Sequence, residues 1–532
     1  MGFRRILSDL TTRGCVKSLV YTLRKQNNLK KKLSRRHPLP VRGLSIYGRM
    51  IRLVFLISLL VNNPSEFDNN PTSPNNTIYV SSSSGSDNNS GLAATSPVQT
   101  LAKAHSLMED GYTALLKSGD VFSKAIYWNY EGIISSYGEG PRPIVSWMGF
   151  YNVSNLTIDN LHFRRTDPEE RDAGFWYMFT NTENFTVQNC LTESNTNIVA
   201  PLGADARCYN VKILNSQFLD THGDDVLEVG FYADRVSGLL IDNVTVDYSQ
   251  EAQDTYADTI FDHCVYIQHH CDNVEIRNST FGNAPTNGLK LNSPAWVHHN
   301  TFLGNSVGCF IGAQEPAQVA GGLIEDNIFI GAGMLNDHPR GDAINVGNAH
   351  DIIIRNNRFE DAGYPADEWQ PPAISIGGDV YNILVEDNIS CEWGGLRLNG
   401  IYDNVMLRRN VLEGNPRTVD LSVNHITLDG VKFRDNRYVQ DINEPFWFQY
   451  VPPYYLYWDE WFGNDLGSEL YAEEQKWQFK NHADINADGS VDINDFVIFI
   501  TDYGTNDWES DINGDSIVNI SDFSQLLINW GL

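Results

Sequence analysis

A motif returns about a dozen times in this 532-residue chain without ever being copied. It reads aliphatic, any residue, Asn or Asp, two residues, then Phe or another apolar residue. Clear copies are Ile158-Asp159-Asn160-Leu161-His162-Phe163, Ile213-Leu214-Asn215-Ser216-Gln217-Phe218, Ile276-Arg277-Asn278-Ser279-Thr280-Phe281 and Ile354-Arg355-Asn356-Asn357-Arg358-Phe359. Looser copies start at Val187, Ile241, Val297, Ile324, Val385, Leu407 and Leu428, with the Asn one place later at Asn300 and Asn327. The intervals run from 21 to 35 residues. A strand-rich repeat of that length describes a coil that stacks on its neighbours and presents a long flat face. A side-chain amide stacked on its copy in the next coil satisfies backbone groups at a sharp bend. Asn160, Asn189, Asn215, Asn243 and Asn278 are therefore expected to be stitching rather than catalysis.

A second strand alternates with the first. Its form is apolar, X, apolar, then Gly, Asn or Gln, as in Leu227-Glu228-Val229-Gly230, Val265-Tyr266-Ile267-Gln268, Leu289-Lys290-Leu291-Asn292 and Leu396-Arg397-Leu398-Asn399. Alternation turns the flanking apolar residues inward and X outward. The outward column should read Glu228, Tyr266, Lys290, Phe310, Asn345, Ser375, Arg397. Acid, phenol, amine, amide and guanidinium in one column suit a saccharide groove, with Glu228, Tyr266, Asn345, Arg340 and Arg397 as substrate contacts. A merely solvated face is the competing reading. Three residues before X lie polar turns: Asp224-Asp225, Asp262-His263, Asn287, then Arg340 and Asp342. In that register Asp225 and His263 fall within about 5 Å of each other on adjacent coils, with Lys290 one coil beyond. Acid, imidazole and cation so coupled perturb one another, as active sites do.

The opening Tyr79-Val80, Gly85-Ser86-Asp87, Ser90-Gly91, Gly119-Asp120 and Ser136-Tyr137-Gly138-Glu139-Gly140-Pro141-Arg142-Pro143 resembles the first rung of the right-handed parallel β-helix proteins, the pectate-lyase-like group. That resemblance implies a mainly β chain, a right-handed parallel β-helix of about 11 rungs over 77–445. The short helix starting near Pro97 would cover the open end of the first coil. Gly223-Asp224-Asp225-Val226-Leu227-Glu228-Val229, Asp262-His263-Cys264-Val265-Tyr266-Ile267 and Asn287-Gly288-Leu289-Lys290-Leu291-Asn292 are similar to successive strands of the polygalacturonase branch. By that resemblance Asp224 or Asp225 is general acid or base, His263 supports them, and Lys290 holds a substrate carboxylate. The chain departs from the pattern: His263 lacks flanking glycines, Lys290 stands in place of Arg, and Asn292 in place of Lys. Elimination on a uronate would use the same groove differently, with Lys290, His263, Arg340 or Arg397 as base or neutraliser. Asp224, Asp225 and Glu228 would then hold a catalytic Ca2+. The residues leave a two-carboxylate hydrolase and a lyase both open.

Near the C-terminus, Asp484-Ile485-Asn486-Ala487-Asp488-Gly489-Ser490-Val491-Asp492-Ile493-Asn494-Asp495 matches a twelve-residue calcium loop. A second loop follows 27 residues later, Asp511-Ile512-Asn513-Gly514-Asp515-Ser516-Ile517-Val518-Asn519-Ile520-Ser521-Asp522. Expected ligands are Asp484, Asn486, Asp488, Ser490, Asp492 and Asp495 in the first, and Asp511, Asn513, Asp515, Ile517, Asn519 and Asp522 in the second. Phe496 and Phe523, Tyr503 and Trp530, Gly504 and Gly531 keep the same offset. The repeat resembles a dockerin, over 481–532, which implies two bound Ca2+ and a cohesin-like partner.

Charge divides along the chain. Residues 1–52 hold 14 of the 38 Lys and Arg and a single acid, Asp9, which leaves 24 basic against 66 acidic residues beyond them. A body so acidic is a poor match for nucleic acid. Seven cysteines form no disulfide or zinc pattern, and Cys264 and Cys309 fall where the coil needs small core residues. The run Met50-Ile51-Arg52-Leu53-Val54-Phe55-Leu56-Ile57-Ser58-Leu59-Leu60-Val61 reads as the apolar core of a secretory signal over 50–65. Residues 1–49 are then a basic leader, or translation begins at Met50; an uncleaved membrane anchor is the competing reading. A linker spans 66–76 and an aromatic-rich extension 446–480. The sequence therefore describes a secreted or surface-associated, monomeric solenoid that cleaves a uronate-containing polysaccharide, hydrolase ahead of lyase. The alternative is a non-catalytic carbohydrate-binding protein on the same scaffold.

Overall fold

A computed structural model describes residues 76–150, 152–164, 182–193, 197–201, 206–219, 229–248, 262–313, 317–332, 341–362, 371–391, 393–413 and 430–439 almost without break. It also describes the pieces 419–421, 447–449, 454–456, 465–466, 469–471 and 493–503, with isolated residues besides. The chain divides into a unit of residues 66–473 and a second unit that contains 474–532.

The first unit is mainly β and built of parallel sheets. Each turn of the coil contributes a strand to a ladder sheet, which carries the asparagine motif, and then a three-residue strand to a short sheet. After a connection of variable length it contributes a strand to a column sheet. Fourteen described strands stack in the short sheet, from Val121–Phe122 to Glu469–Tyr471. Ladder and column sheets join because Ile344–Arg355, Pro372–Glu386 and Gly394–Arg408 each bend from one into the other as a continuous strand. This is a parallel β-helix. Thr77–Val80 opens it, and the helix Leu101–His105, capped by the Thr100 side chain on the Lys103 N–H, packs Leu101 and Ala104 inward before Tyr112–Lys117 returns to strand.

The register follows the motif. Ile158, Val187, Ile213, Ile241, Ile276, Val297, Ile324, Ile354, Val385 and Leu407 stand on one another, rung after rung. The next in line is Phe433, not Leu428; an aromatic replaces the aliphatic there. The apolar residue that ends the motif fills the short sheet's inner face. Phe281, Phe302, Phe329 and Phe359 stack in sequence, the middle two with centroids 4.4 Å apart. Cys264 and Cys309 lie fully buried in this core.

The asparagines hold two different jobs. Asn160, Asn189, Asn215, Asn243 and Asn278 have φ between 49° and 54°, so they supply the left-handed residue that the tight turn requires. The buried amide stack lies one residue later. Asn300, Asn327, Asn357, Asn388, Asn410 and Asn436 are at most 1% exposed. Each of the first five donates both its backbone N–H and its Nδ2 to the Oδ1 of the next, at 2.9–3.1 Å. Their amides also reach main-chain carbonyls such as Ile276 and Ile324. Upstream the same position holds Leu161, Cys190, Ser216, Val244 and Ser279, where serine hydroxyls do part of the work.

Parallel pairing continues beyond residue 445: Trp447–Gln449 adds to Val419–Leu421, and Tyr454–Leu456 turns back antiparallel upon it. In the second unit the helix Ile493–Asp502 follows the first calcium-loop sequence, and Val491, Phe499, Val518 and Leu526 form its core. Among the described residues no helix is long and apolar enough to cross a membrane; residues 50–61 lie outside them.

While the Asn327 Nδ2 keeps its bonds to the Val297 and Glu325 carbonyls, Asn357→Ala takes the acceptor from the buried Asn327 N–H and the amide donor from the Ile324 carbonyl. Each costs about 1–3 kcal/mol, so the denaturation midpoint should fall clearly. Asn356→Gly, at an exposed residue with φ 55°, should change stability by less than about 0.5 kcal/mol.

Candidate functional site

Connections from ladder to short strand are two residues long, as at 160–161 and 189–190, whereas those from column to ladder strand range from two residues at 234–235 to eight at 200–207. The connections entering the column sheet are the long ones: 220–228, 248–262, 361–371. Insertions therefore flank the column sheet, where variable loops positioned by a rigid scaffold carry function.

On that sheet the outward residues run Ile198, Tyr232, Tyr266, Lys290, Phe310, Asn345, Ser375, Arg397, with Asp420 and Phe448 continuing the register. The expected column from Tyr266 to Arg397 is present residue for residue. Its first member is corrected. Val229, not Asp225, pairs with His263, and Tyr232, not Glu228, stands beside Tyr266. The strand begins four residues later than expected because Leu227-Glu228-Val229-Gly230 imitates the alternating pattern. Spacing could not have separated the two: column residues lie from seven (Lys290 to Val297) to fourteen (Phe310 to Ile324) residues before the ladder aliphatic, which admits Glu228 at thirteen as well as Tyr232 at nine. Asp224, Asp225, Glu228 and Arg340 lie outside the described residues.

Tyr232 and Tyr266 meet edge to face with centroids 5.5 Å apart. Asn292 donates to the Tyr266 hydroxyl at 3.1 Å and to Gln268 Oε1 at 2.9 Å. Burial pushes the Tyr232 phenol up to about 12, with Asp234 and Tyr266 adding to it; burial also raises Tyr266. Both rings are therefore neutral hydrogen-bonding platforms at ordinary pH. One rung on, the Lys290 ammonium lies 3.5 Å from the centroid of the Phe310 ring. A cation held over an aromatic face is fixed in direction.

His263 is buried. Its Nδ1 lies 2.7 Å from Thr286 Oγ1 and 3.1 Å from Asn287 Nδ2, and its ring meets Tyr266 edge-on at 5.4 Å. Thr286 is anchored in turn on the Asp262 carbonyl. So engaged, His263 orients its neighbours rather than lying open to solvent. Farther along, Asp342 takes the Asn345 amide at 2.7 Å and faces Arg397 Nη1 at 3.4 Å. The guanidinium expected to meet substrate thus leans on a carboxylate of its own sheet. Asp342 sits four rungs from Val229, about 19 Å at 4.8 Å per rung, too far to act with groups at the Tyr232 end. Among the described residues no three His, Cys, Asp or Glu side chains converge to hold a metal. Of the expected calcium ligands only Asp495 is described, fully buried in the first turn of its helix. Asp484, Asn486, Asp488, Ser490, Asp492, Asp511, Asn513, Asp515, Ile517, Asn519 and Asp522 lie outside the described residues.

No family model matches the chain, and no curated protein does. Solved structures do. A lacto-N-biosidase from Eubacterium ramulus is 14% identical, over 75% of this chain and 67% of that one, with a TM-score of 0.37. An alginate lyase in complex with a trisaccharide is 16% identical over 77% and 99%, with a TM-score of 0.45. The Streptococcus pneumoniae surface protein and adhesin PfbA is 11% identical over 68% and 89%, with a TM-score of 0.37. At such identities and scores these likenesses carry no activity over to this chain.

The buried phenols give a pH signature. Absorbance titration of Tyr232→Phe should lack one phenol that ionises near pH 12 in the parent protein. Because the folded value is raised, the stability tied to that neutral phenol is full below about pH 10, the ordinary value. It disappears as pH rises through 12.

Proposed function

We propose that the protein binds a polysaccharide along the column face and cleaves it at the Tyr232–Lys290 end, hydrolysis ahead of elimination. The observation that carries the reading is the column itself. Two neutral phenols, an ammonium on a phenyl ring, an amide, a hydroxyl and a guanidinium stand in register on one flat sheet. Aromatic faces suit sugar rings, and the polar groups between them suit hydroxyls. Lys290 and Arg397 favour a glycan that bears uronate carboxylates. Asp224, Asp225 and Glu228 precede in sequence the strand whose Val229 pairs with His263. Two of those carboxylates would serve as acid and base. In elimination the same acids would instead hold a Ca2+ and Lys290 would neutralise the uronate.

Binding without cleavage is the second reading. It is favoured by the engaged state of the described groups: Lys290 on Phe310, Arg397 on Asp342, His263 on Thr286. The C-terminal repeat is read as a dockerin-like module with two Ca2+ and a cohesin-like partner. A carboxylate with no solvent exposure, as at Asp495, needs a cation or several donors around it, which fits the last position of such a loop. Secretion follows from the 50–65 segment in this reading.

Incubation with uronic and neutral polysaccharides separates the alternatives. New reducing ends without unsaturation indicate hydrolysis, unsaturated ends indicate elimination, and binding with no new ends contradicts cleavage. Asp225→Asn should lower turnover by about 100-fold or more, and His263→Gln should lower it too. Full activity in both variants would remove them from the site. Chelation of calcium should melt the C-terminal unit and leave the β signal of the solenoid; loss of both together would contradict two separate units.

A further inference from the structure

An open notch of about 520 Å³ lies at the corner where column strands turn into ladder strands, lined by Glu183, Tyr209, Asn210, Ser237, Gly238 and Asn273. It arises from a gap in a second amide stack. Asn155, Asn184, Asn210, Gly238 and Asn273 occupy one corner position on successive rungs, all with positive φ. Asn184 Nδ2 donates to Asn155 Oδ1 at 2.8 Å, and Asn210 Nδ2 donates to Asn184 Oδ1 at 3.1 Å. The next donor would come from residue 238, and glycine has none. Even a Cβ there would crowd Asn210 Oδ1 at 3.1 Å, so no side chain closes the stack at this rung and the Asn210 carboxamide borders the notch.

The wall beside that space is Tyr209, 43% exposed, one rung above Ser237 in strict register. An exposed ring beside a floor without side chains fits the C–H face of a pyranose, whose hydroxyls then meet the Asn210 and Asn273 amides. Charge selects among sugars. Asp272, one rung below Ser237, is lowered from the ordinary carboxylate value by the Ser237 hydroxyl at 2.5 Å, with Arg207 also bound to it. Glu183 stands on the opposite side. Arg207 offsets the Asp272 charge, so Glu183 is the carboxylate that disfavours a uronate, and both acids accept hydrogen bonds from hydroxyls.

We propose that this notch is an accessory subsite for a neutral pyranose. It differs from the column face, from which the two-residue turn Asp234-Arg235 separates it. Its evidence is independent of that face, and a polymer held there would be anchored beside the Tyr232 end.

The test is calorimetric titration of the full chain with cellohexaose, xylohexaose, mannohexaose and a trigalacturonate. At least one neutral hexasaccharide should bind. Tyr209→Ala should weaken it by about tenfold, whereas Tyr209→Phe and the column variant Tyr266→Ala should keep it within about twofold. Binding of the trigalacturonate should respond to Tyr266→Ala and not to Tyr209→Ala. The proposal is overturned if no neutral hexasaccharide binds, if Tyr209→Ala binds as well as the parent, or if neutral binding is lost in Tyr266→Ala instead. Since the Tyr209 side chain is exposed, an unchanged melting profile is expected for Tyr209→Ala.

Discussion

In-register stacking of one rung upon the next governs everything else in this protein. Parallel strands supply the main-chain hydrogen bonds, but a coil must also turn between sheets, and its turning groups are buried. The ladder from Asn300 to Asn436 satisfies them. Each carboxamide oxygen takes the N–H of the rung before, while its own amide takes a carbonyl beside it. A one-rung slip would orphan several buried groups together, at about 1–3 kcal/mol each. Register is therefore fixed by polar chemistry at the corner as well as by apolar alternation.

Fixed register has a functional consequence. The corner between ladder and short strand permits only two-residue turns, so variation falls on the two corners that flank the column sheet. The outward side chains of that sheet are held in a straight file at a spacing of about 4.8 Å. A file of rings, amides and cations at that pitch presents regular contacts to a polymer that lies along or across it. The same logic explains the Tyr209 notch. Where a ladder position becomes glycine, the stack opens, and the opening has defined walls because both neighbouring rungs stay in place.

The ladder sheet was legible almost to the residue, since the motif carries a buried aliphatic, a left-handed Asn and a buried aromatic at fixed offsets. Which asparagine stacks was less legible: Asn356 and Asn357 are adjacent, and only burial separates the turn residue from the ladder residue. The column was legible from Tyr266 to Arg397 because each member has apolar neighbours on both sides. It failed at Glu228, where a second alternating stretch, Leu227-Glu228-Val229, competes with Phe231-Tyr232-Ala233, and only the pairing of Tyr232 with Tyr266 decides. The pairing of Arg397 with Asp342 was not legible at all, being a contact across rungs between side chains of long reach. Nor was the Lys290–Phe310 contact, although the two residues were placed next to each other.

Oxidative side-chain footprinting with and without bound glycan tests the column face most directly. With the polysaccharide that the protein proves to bind, protection should fall on Tyr232, Tyr266 and Phe310. Trp296, 43% exposed on the ladder sheet, should react as before. Protection of Trp296 with Tyr266 and Phe310 unchanged would place the glycan on another face and contradict a saccharide site on the column.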